Sequence, residues 1–330
     1  MSTEFSLIER LKPRLPGNAR VLVGAGDDCA VLDLGEPGWH ALFKTDAVVE
    51  GVHFTPDTDP RRVGHKALAR ALSDIAAMGG EATAAVVTLG LPGIEPTVEA
   101  AWAEAAYDGL VALAARYSVA VVGGETTRNP GARLLSVSLV GRVPAHTALL
   151  RTGSQPGDAI FVTGELGGSL AGHHLDFEPR LREGQWLRNW GRVHALVDVS
   201  DGVAGDLGHL LTSTVPAGGG LGAVLYRSAL PVSRAAKLRA RAGDLSKPAH
   251  VAALTDGEDF ELLFTVAARD AVGLLDAWKL AFPQLALSCF GRITPTPGIR
   301  WRDERGERPL VATGFDHFAA AGAKSPGDHA

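Results

Sequence analysis

ALFKTDAVVEGVHFTPDTDPRRVGHKALARALSDIAAMGG, residues 41–80, decides the fold. Its first nine residues, Ala41 to Val49, form an apolar run interrupted by Lys44 and Asp46, with the length and composition of a buried strand. Asp59-Pro60 then offers an N-cap and a first helical residue: the Asp side chain can accept an otherwise orphaned N–H, and proline's fixed φ suits the first turn. Val63, Ala67, Ala71, Ile75 and Met78 recur at helical spacing, with Lys66, Arg70 and Ser73 on the other side. A helix is therefore expected to about Met78, where Gly79-Gly80 ends it. A strand feeding a long amphipathic helix predicts an α/β fold.

The same alternation continues outward. A strand is expected over Ala84 to Leu91, an Ala-rich helix over Thr97 to Tyr117, and strands over Val119 to Val122 and Leu134 to Val140. Residues Gly141 to Asp158 break the pattern with Pro, Gly and polar residues, which marks a domain boundary. A second α/β segment follows, with the strand AIFVTG, the glycine-rich GELGGSLAG, a strand from Ala195 to Val199 and a helix from about Gly202 to Leu211. The expected division is 1–143 and 150–320, with a disordered tail at 321–330. ALSDIAAMG and DVSDGVAGD echo one another, too briefly to establish a repeat.

Composition limits the function. The 330 residues are 46% hydrophobic and 21% charged, the profile of a folded globule. A net charge of −5 with scattered basic residues argues against a nucleic-acid partner. Cys29 and Cys289 are too few for a disulfide framework or a cysteine zinc site. Glu4, Glu9, Arg10 and Lys12 interrupt any signal-peptide core, and no later stretch nears about 18 unbroken apolar residues. A cytoplasmic protein without a membrane span is expected.

No G-x-x-x-x-G-K-[ST] phosphate loop occurs, and GAGDDC (24–29) lacks the third glycine of a dinucleotide fingerprint. It ends instead in Asp27 and Asp28, which would repel a polyphosphate unless a cation intervened, or which simply form a surface Asx-turn. Asp46, inside an apolar strand, needs a metal or an ion pair, and Lys44 two residues away shares its face. Asp74 projects from the apolar side of its helix and wants a cation, or pairs with Arg70 one turn earlier. VVGGETTR (121–128) is read as a strand entering a Gly-Gly turn that presents backbone N–H groups and Glu125. VDVSDG (197–202) repeats that arrangement with Asp198, Ser200 and Asp201.

Taken in order, EFSLIERL, GAGDDCAVL, KTDAVVEGVHF, KALARALSDIAAMGG, GGETTR, LLRTGSQPGD, DVSDGVAGDLGHL, DGEDFELLFTV and GFDHF resemble the thiamine-monophosphate kinases over nearly the whole chain. The resemblance implies a two-domain α/β fold of the AIR-synthetase type with mixed sheets, an N-terminal ATP- and Mg²⁺-binding domain, a C-terminal α/β domain, and a homodimer formed mainly by the N-terminal domains. It further implies phosphorylation of thiamine monophosphate by ATP, with Asp28, Thr45, Asp46, Asp74, Glu125, Asp198 and Asp201 as Mg²⁺ ligands. Tyr107, Gly124, Glu125, Arg151 and Ser200 would lie beside ATP, and His53, Glu258 and Phe318 around thiamine monophosphate. No residue is implied as a general base. The blander roles are a turn cap for His53 and a C-terminal anchor for Phe318.

This chain departs from the family pattern in several places. Glu125 stands where GGDT is usual, Lys44 where some members offer a metal-binding serine, and Asp256 where glycine is common. HLDFEPRLREGQWL (174–187) looks like a shortened form of an H-x-x-P-x-P-R stretch. The alternatives are a sister enzyme with another phosphate acceptor, or a catalytically silent ATP-binding protein of the same fold.

Overall fold

A computed structural model of the chain describes residues 4–93, 95–213, 220–245 and 247–310. Phe318 and the tail 321–330 lie outside them. The helices are Glu4–Leu11 (α1), Pro60–Ala77 (α2), Pro96–Arg116 (α3), His173–Asp176 (α4), Leu181–Trp190 (α5), Val203–Ser213 (α6), Arg234–Ala242 (α7), Ala249–Thr255 (α8) and Ala271–Ala281 (α9). The chain divides into two compact units, one formed by Ala19–Ala148 with His174–Trp186, the other by Met1–Asn18, Leu149–His173 and Leu187–Ala330. The first is called the N-terminal unit and the second the C-terminal unit. Both are discontinuous, where the sequence alone suggested continuous stretches.

The N-terminal unit holds strands Val21–Val23 (β1), Ala30–Leu32 (β2), Trp39–Val49 (β3), Glu81–Leu91 (β4), Ala120–Arg128 (β5) and Leu134–Pro144 (β6). They form one mixed sheet in the order β1-β2-β3-β6-β4-β5, antiparallel except for the β4–β5 pair. Leu42 and Val48 of β3, Leu135, Val137 and Leu139 of β6, and Val87 of β4 turn one face of this sheet into core. Helix α2 packs on that face of β3 and β6. It begins as expected, with the Asp59 side chain accepting the Arg61 N–H ahead of Pro60, and ends at Gly79, whose φ of 66° only glycine adopts cheaply. Helices α2 and α3 touch through glycine: a Cβ on Gly64 would fall 1.7 Å from the Ala106 carbonyl oxygen, and one on Gly109 1.8 Å from that of Arg61.

The expected Gly-Gly turn after Val122 is corrected. Gly123, Gly124 and Glu125 stay within β5, which pairs with β4 through Arg128 after a register shift near Ala85 and Val86. Gly123 takes φ 152° at this irregularity. Gly124 lies so close to β4 that a Cβ would fall 1.9 Å from the Val87 carbonyl oxygen. The glycines therefore permit strand pairing rather than a turn.

The segment 174–186 is tied to α2 and α3 of its unit by polar contacts. The Arg62 guanidinium donates to Asp176, with one N–H···O distance of 2.9 Å. His65 Nε2 lies 2.9 Å from the Phe177 carbonyl, and Arg116 and Tyr117 both donate to Glu178. The fully buried Lys66 ammonium donates to the His53 carbonyl at 2.7 Å and lies 2.8 Å from His174 Nδ1.

In the C-terminal unit, Ala159–Thr163 (β7), Val193–Asp198 (β8), Gly222–Tyr226 (β9), Leu262–Val266 (β10), Leu287–Thr294 (β11), Gly298–Asp303 (β12) and Gly306–Pro309 (β13) form a sheet in the order β13-β12-β9-β11-β7-β10-β8. Only its β9–β12 pair is parallel. Every residue of β7 and β10 is buried, as in a central strand covered on both faces. One face packs Ile160, Val162, Val197, Leu225 and Leu263 against Val203, Leu207 and Leu210 of α6. On the other, Phe161 stacks on its cross-strand partner Phe264 at 5.6 Å between ring centroids.

Candidate active site

Strand geometry builds an acidic cluster in the N-terminal unit. Side chains alternate along β3, so Lys44 and Asp46 share the α2-facing side with the fully buried Leu42 and Val48. There they meet charged residues of α2. Lys44 Nζ lies 2.9 Å from Asp74 Oδ1 and 4.0 Å from Asp46 Oδ2, and Arg70 Nη2 lies 3.6 Å from Asp46 Oδ1. Both bland pairings suggested by the sequence are thus modified: Lys44 reaches Asp46 but sits closer to Asp74, and Arg70 reaches across to Asp46.

Asp28 and Asp74 are 2% and 5% exposed, and carboxylate oxygens of the two lie within 4.8 Å of each other. The Asp27 carboxylate accepts the N–H of the adjacent Asp28 at 3.0 Å, one residue on rather than the two of an Asx-turn, and Asp28 is buried rather than on the surface. Burial disfavours the Lys44 charge, but Asp74 and then Asp46 outweigh it and raise the pKa. Burial likewise pushes the Asp46 pKa up, but Lys44 and then Arg70 outweigh it, so the net direction is down from the ordinary carboxylate value. Burial first, then Asp74, raises the pKa of the Cys29 thiol, which is therefore neutral and no anionic ligand.

Other expected residues take different places. Thr45 points to the opposite, exposed face of the sheet, where Ser138 Oγ donates to its hydroxyl at 3.1 Å. Glu125 lies directly across from Thr88 on that same open face, while Gly124 is on the helix-facing side. His53 Nδ1 accepts the Val49 N–H at 3.1 Å, so the turn-capping role is real and the neutral ring carries its proton on Nε2. Tyr107 sits half-buried in the middle of α3, its hydroxyl pKa raised by burial.

The C-terminal unit carries expected residues of its own. Asp198 ends β8, and Ser200 and Asp201 form the turn before α6. This turn is zipped by backbone bonds to the DGEDFE loop: Glu258 N–H donates to the Ser200 carbonyl at 2.7 Å and Phe260 N–H to that of Val199 at 2.8 Å. Ser200 and Glu258 are thereby brought together. The loop is strained, with Glu258 at φ 53° and Phe260 at φ 50°.

Asp201, Asp206 and His209 place ligand atoms within 4.8 Å of one another, a donor set able to hold a divalent ion. Burial, then Asp201 and Asp198, raise the Asp206 pKa, while Arg151 lowers it. Asp206 and His209 were missed in the sequence, although their spacing of three residues on a helix after an acidic turn was a readable signal. Asp259 was missed too: both its carboxylate oxygens lie 2.9 Å from the Gly167 nitrogen, gripping the glycine-rich loop. Asp256 gains a role in the same grip, accepting the Gly168 N–H at 2.8 Å and pairing with Lys247 at 2.8 Å.

These features define a class. Residues 26–143 match the family model for AIR synthase related protein, N-terminal domain, and the two mixed sheets are of that fold. The chain is 37% identical to the thiamine-monophosphate kinase of Salmonella typhimurium, over 96% of this chain and 98% of the relative. It is 39% identical to that of Rhodopirellula baltica, over 88% and 95%. A solved structure described as AaThiL complexed with AMPPCP and TMP superposes with a TM-score of 0.79 at 27% identity, covering 96% of this chain and 97% of that one. The chain belongs to the thiamine-monophosphate kinase family.

Proposed function

We propose that this enzyme transfers the γ-phosphoryl group of ATP to the phosphate of thiamine monophosphate in line, giving thiamine diphosphate and ADP. The observation that carries the reading is the packing of the buried Asp28 and Asp74, and of the half-buried Asp46 joined to Asp74 through Lys44, in a chain so similar to thiamine-monophosphate kinases. The acceptor explains why no general base is needed. A phosphate monoester has a second pKa near about 6, so its oxygen is already largely anionic at neutral pH. The barrier is chiefly repulsion between two polyanions, which calls for countercharge and alignment.

The donor chemistry fits Mg²⁺, since hard carboxylate oxygens predominate. Several Mg²⁺ ions would share these residues: Asp28, Asp46 and Asp74 in the N-terminal unit, Thr45 and Glu125 on its open sheet face, and Asp198 and Asp201 in the C-terminal unit. Bound Mg²⁺ supplies charge neutralisation to the phosphates. Arg151, Ser200, Gly124 and Tyr107 are assigned to ATP, and His53, Glu258 and Phe318 to thiamine monophosphate. The strained loop holding Glu258 supports its assignment, because strain of this kind concentrates at ligand sites.

A homodimer is part of the same proposal. Phe43, Val86 and Val140 leave an apolar, solvent-exposed patch on the face of the N-terminal sheet that α2 does not cover. A cytoplasmic location also belongs to it, since two free cysteines and ATP as donor suit a reducing, nucleotide-rich compartment. Among the described residues no helix is long and apolar enough to cross a membrane.

ADP release should depend on thiamine monophosphate and not on free thiamine. Asp46→Asn should lower turnover by roughly 10²–10³-fold, the scale of losing one preorganised electrostatic group, with an unchanged circular dichroism spectrum. Turnover with free thiamine alone, or near-normal turnover of the variant at saturating Mg²⁺, would sink the assignment.

A further inference from the structure

The acidic site of the N-terminal unit already contains a cation. We propose that Lys44 is a built-in countercharge that takes the place of one divalent ion between Asp46 and Asp74, so that this enzyme works with one metal ion fewer than a chain bearing an uncharged residue there. The inference rests on the kinase reading for its functional meaning, and on the geometry of β3 and α2 for its substance.

Lys44 has little freedom to leave. Its stem rises from the core-facing side of β3 between Leu42 and Asp46, and Leu42 and Val48 on that side are fully buried. The ammonium lies 2.9 Å from Asp74 and 4.0 Å from Asp46. Arg70 stands 3.6 Å from the other oxygen of Asp46. Two carboxylates thus face two permanent cations.

An ion bridging Asp46 and Asp74 would have to displace or closely approach the ammonium, which carries only N–H donors and no lone pair to offer a metal. Mg²⁺ also demands a near-ideal octahedron of oxygens at about 2.1 Å. A carboxylate pair already clamped on an ammonium cannot provide that arrangement. Lysine instead supplies a single charge that does not dissociate, making this corner of the site independent of free Mg²⁺.

Counting bound Mn²⁺ by electron paramagnetic resonance, without nucleotide, tests the proposal. Lys44→Ser is expected to bind one more Mn²⁺ per chain than the native protein, and Lys44→Arg, which keeps the charge, none. Lys44→Gln preserves more of the stem's packing and offers a carbonyl oxygen, so it serves if the serine variant does not fold, with the same gain expected. Native and neutral-variant chains binding equal numbers of Mn²⁺ would overturn the inference, as would a gain in Lys44→Arg. Thiamine monophosphate-dependent ADP release by the native enzyme is measured separately. Its absence would defeat the kinase reading while leaving the ion count fully interpretable.

Discussion

Glu258 illustrates what one residue reveals. Its φ of 53° places a non-glycine side chain in the left-handed region, next to Gly257 at φ 70° and two residues before Phe260 at φ 50°. Holding an L-residue there costs about 1–2 kcal/mol. Glycine would adopt the same backbone almost freely. Glu258→Gly should therefore raise unfolding stability by about 1 kcal/mol in urea titrations, while the KM for thiamine monophosphate rises. A destabilised variant with an unchanged KM would show that the side chain is structural. The GEDFE motif was visible in the sequence, but its dihedral angles were not, because they are imposed by backbone bonds to Ser200 and Val199. Asp256 was visible only as a departure from glycine, and its partners Gly168 and Lys247 come from distant parts of the chain.

Elements were readable where one local rule sufficed. Helix α2 carries its N-cap, apolar stripe and terminal glycine in consecutive residues, and β3 displays its alternation and its two misplaced charges together. The β5 glycines misled because Gly-Gly commonly marks a turn, whereas here the missing Cβ lets the strand lie against Val87. The same distinction between glycines can be measured in the helices. Gly109 of α3 meets the Arg61 carbonyl, so Gly109→Ala should cost about 1–3 kcal/mol through overpacking. Gly273 of α9 has nothing within 4 Å of a built Cβ, so Gly273→Ala should instead stabilise by about 0.4–1 kcal/mol. Thermal melts of the two variants should move in opposite directions; movement in the same direction would show that helix propensity, not contact, dominates.

At the scale of the whole molecule the open sheet face matters most. Following the registered pairs across β3, β6, β4 and β5, Thr45 and Glu125 emerge on this one face. They are three strands apart, roughly 14 Å at about 4.8 Å per strand. A single ion within one chain cannot bind both side chains at coordination distance. Motif spelling put the two residues in one ligand set, and only the sheet order separates them.

The same face exposes Phe43 directly across from Val140, with Val86 nearby. A second copy laid on it would bury these apolar groups and bring ligands from two chains to one place. Phe43→Glu should therefore yield monomers by analytical ultracentrifugation, since a carboxylate in such an interface is desolvated without a partner. Turnover should fall with the dimer fraction and recover at high protein concentration, because ligands on this face would need a second chain. A monomer with full turnover would show that Thr45 and Glu125 serve separate ions, or none.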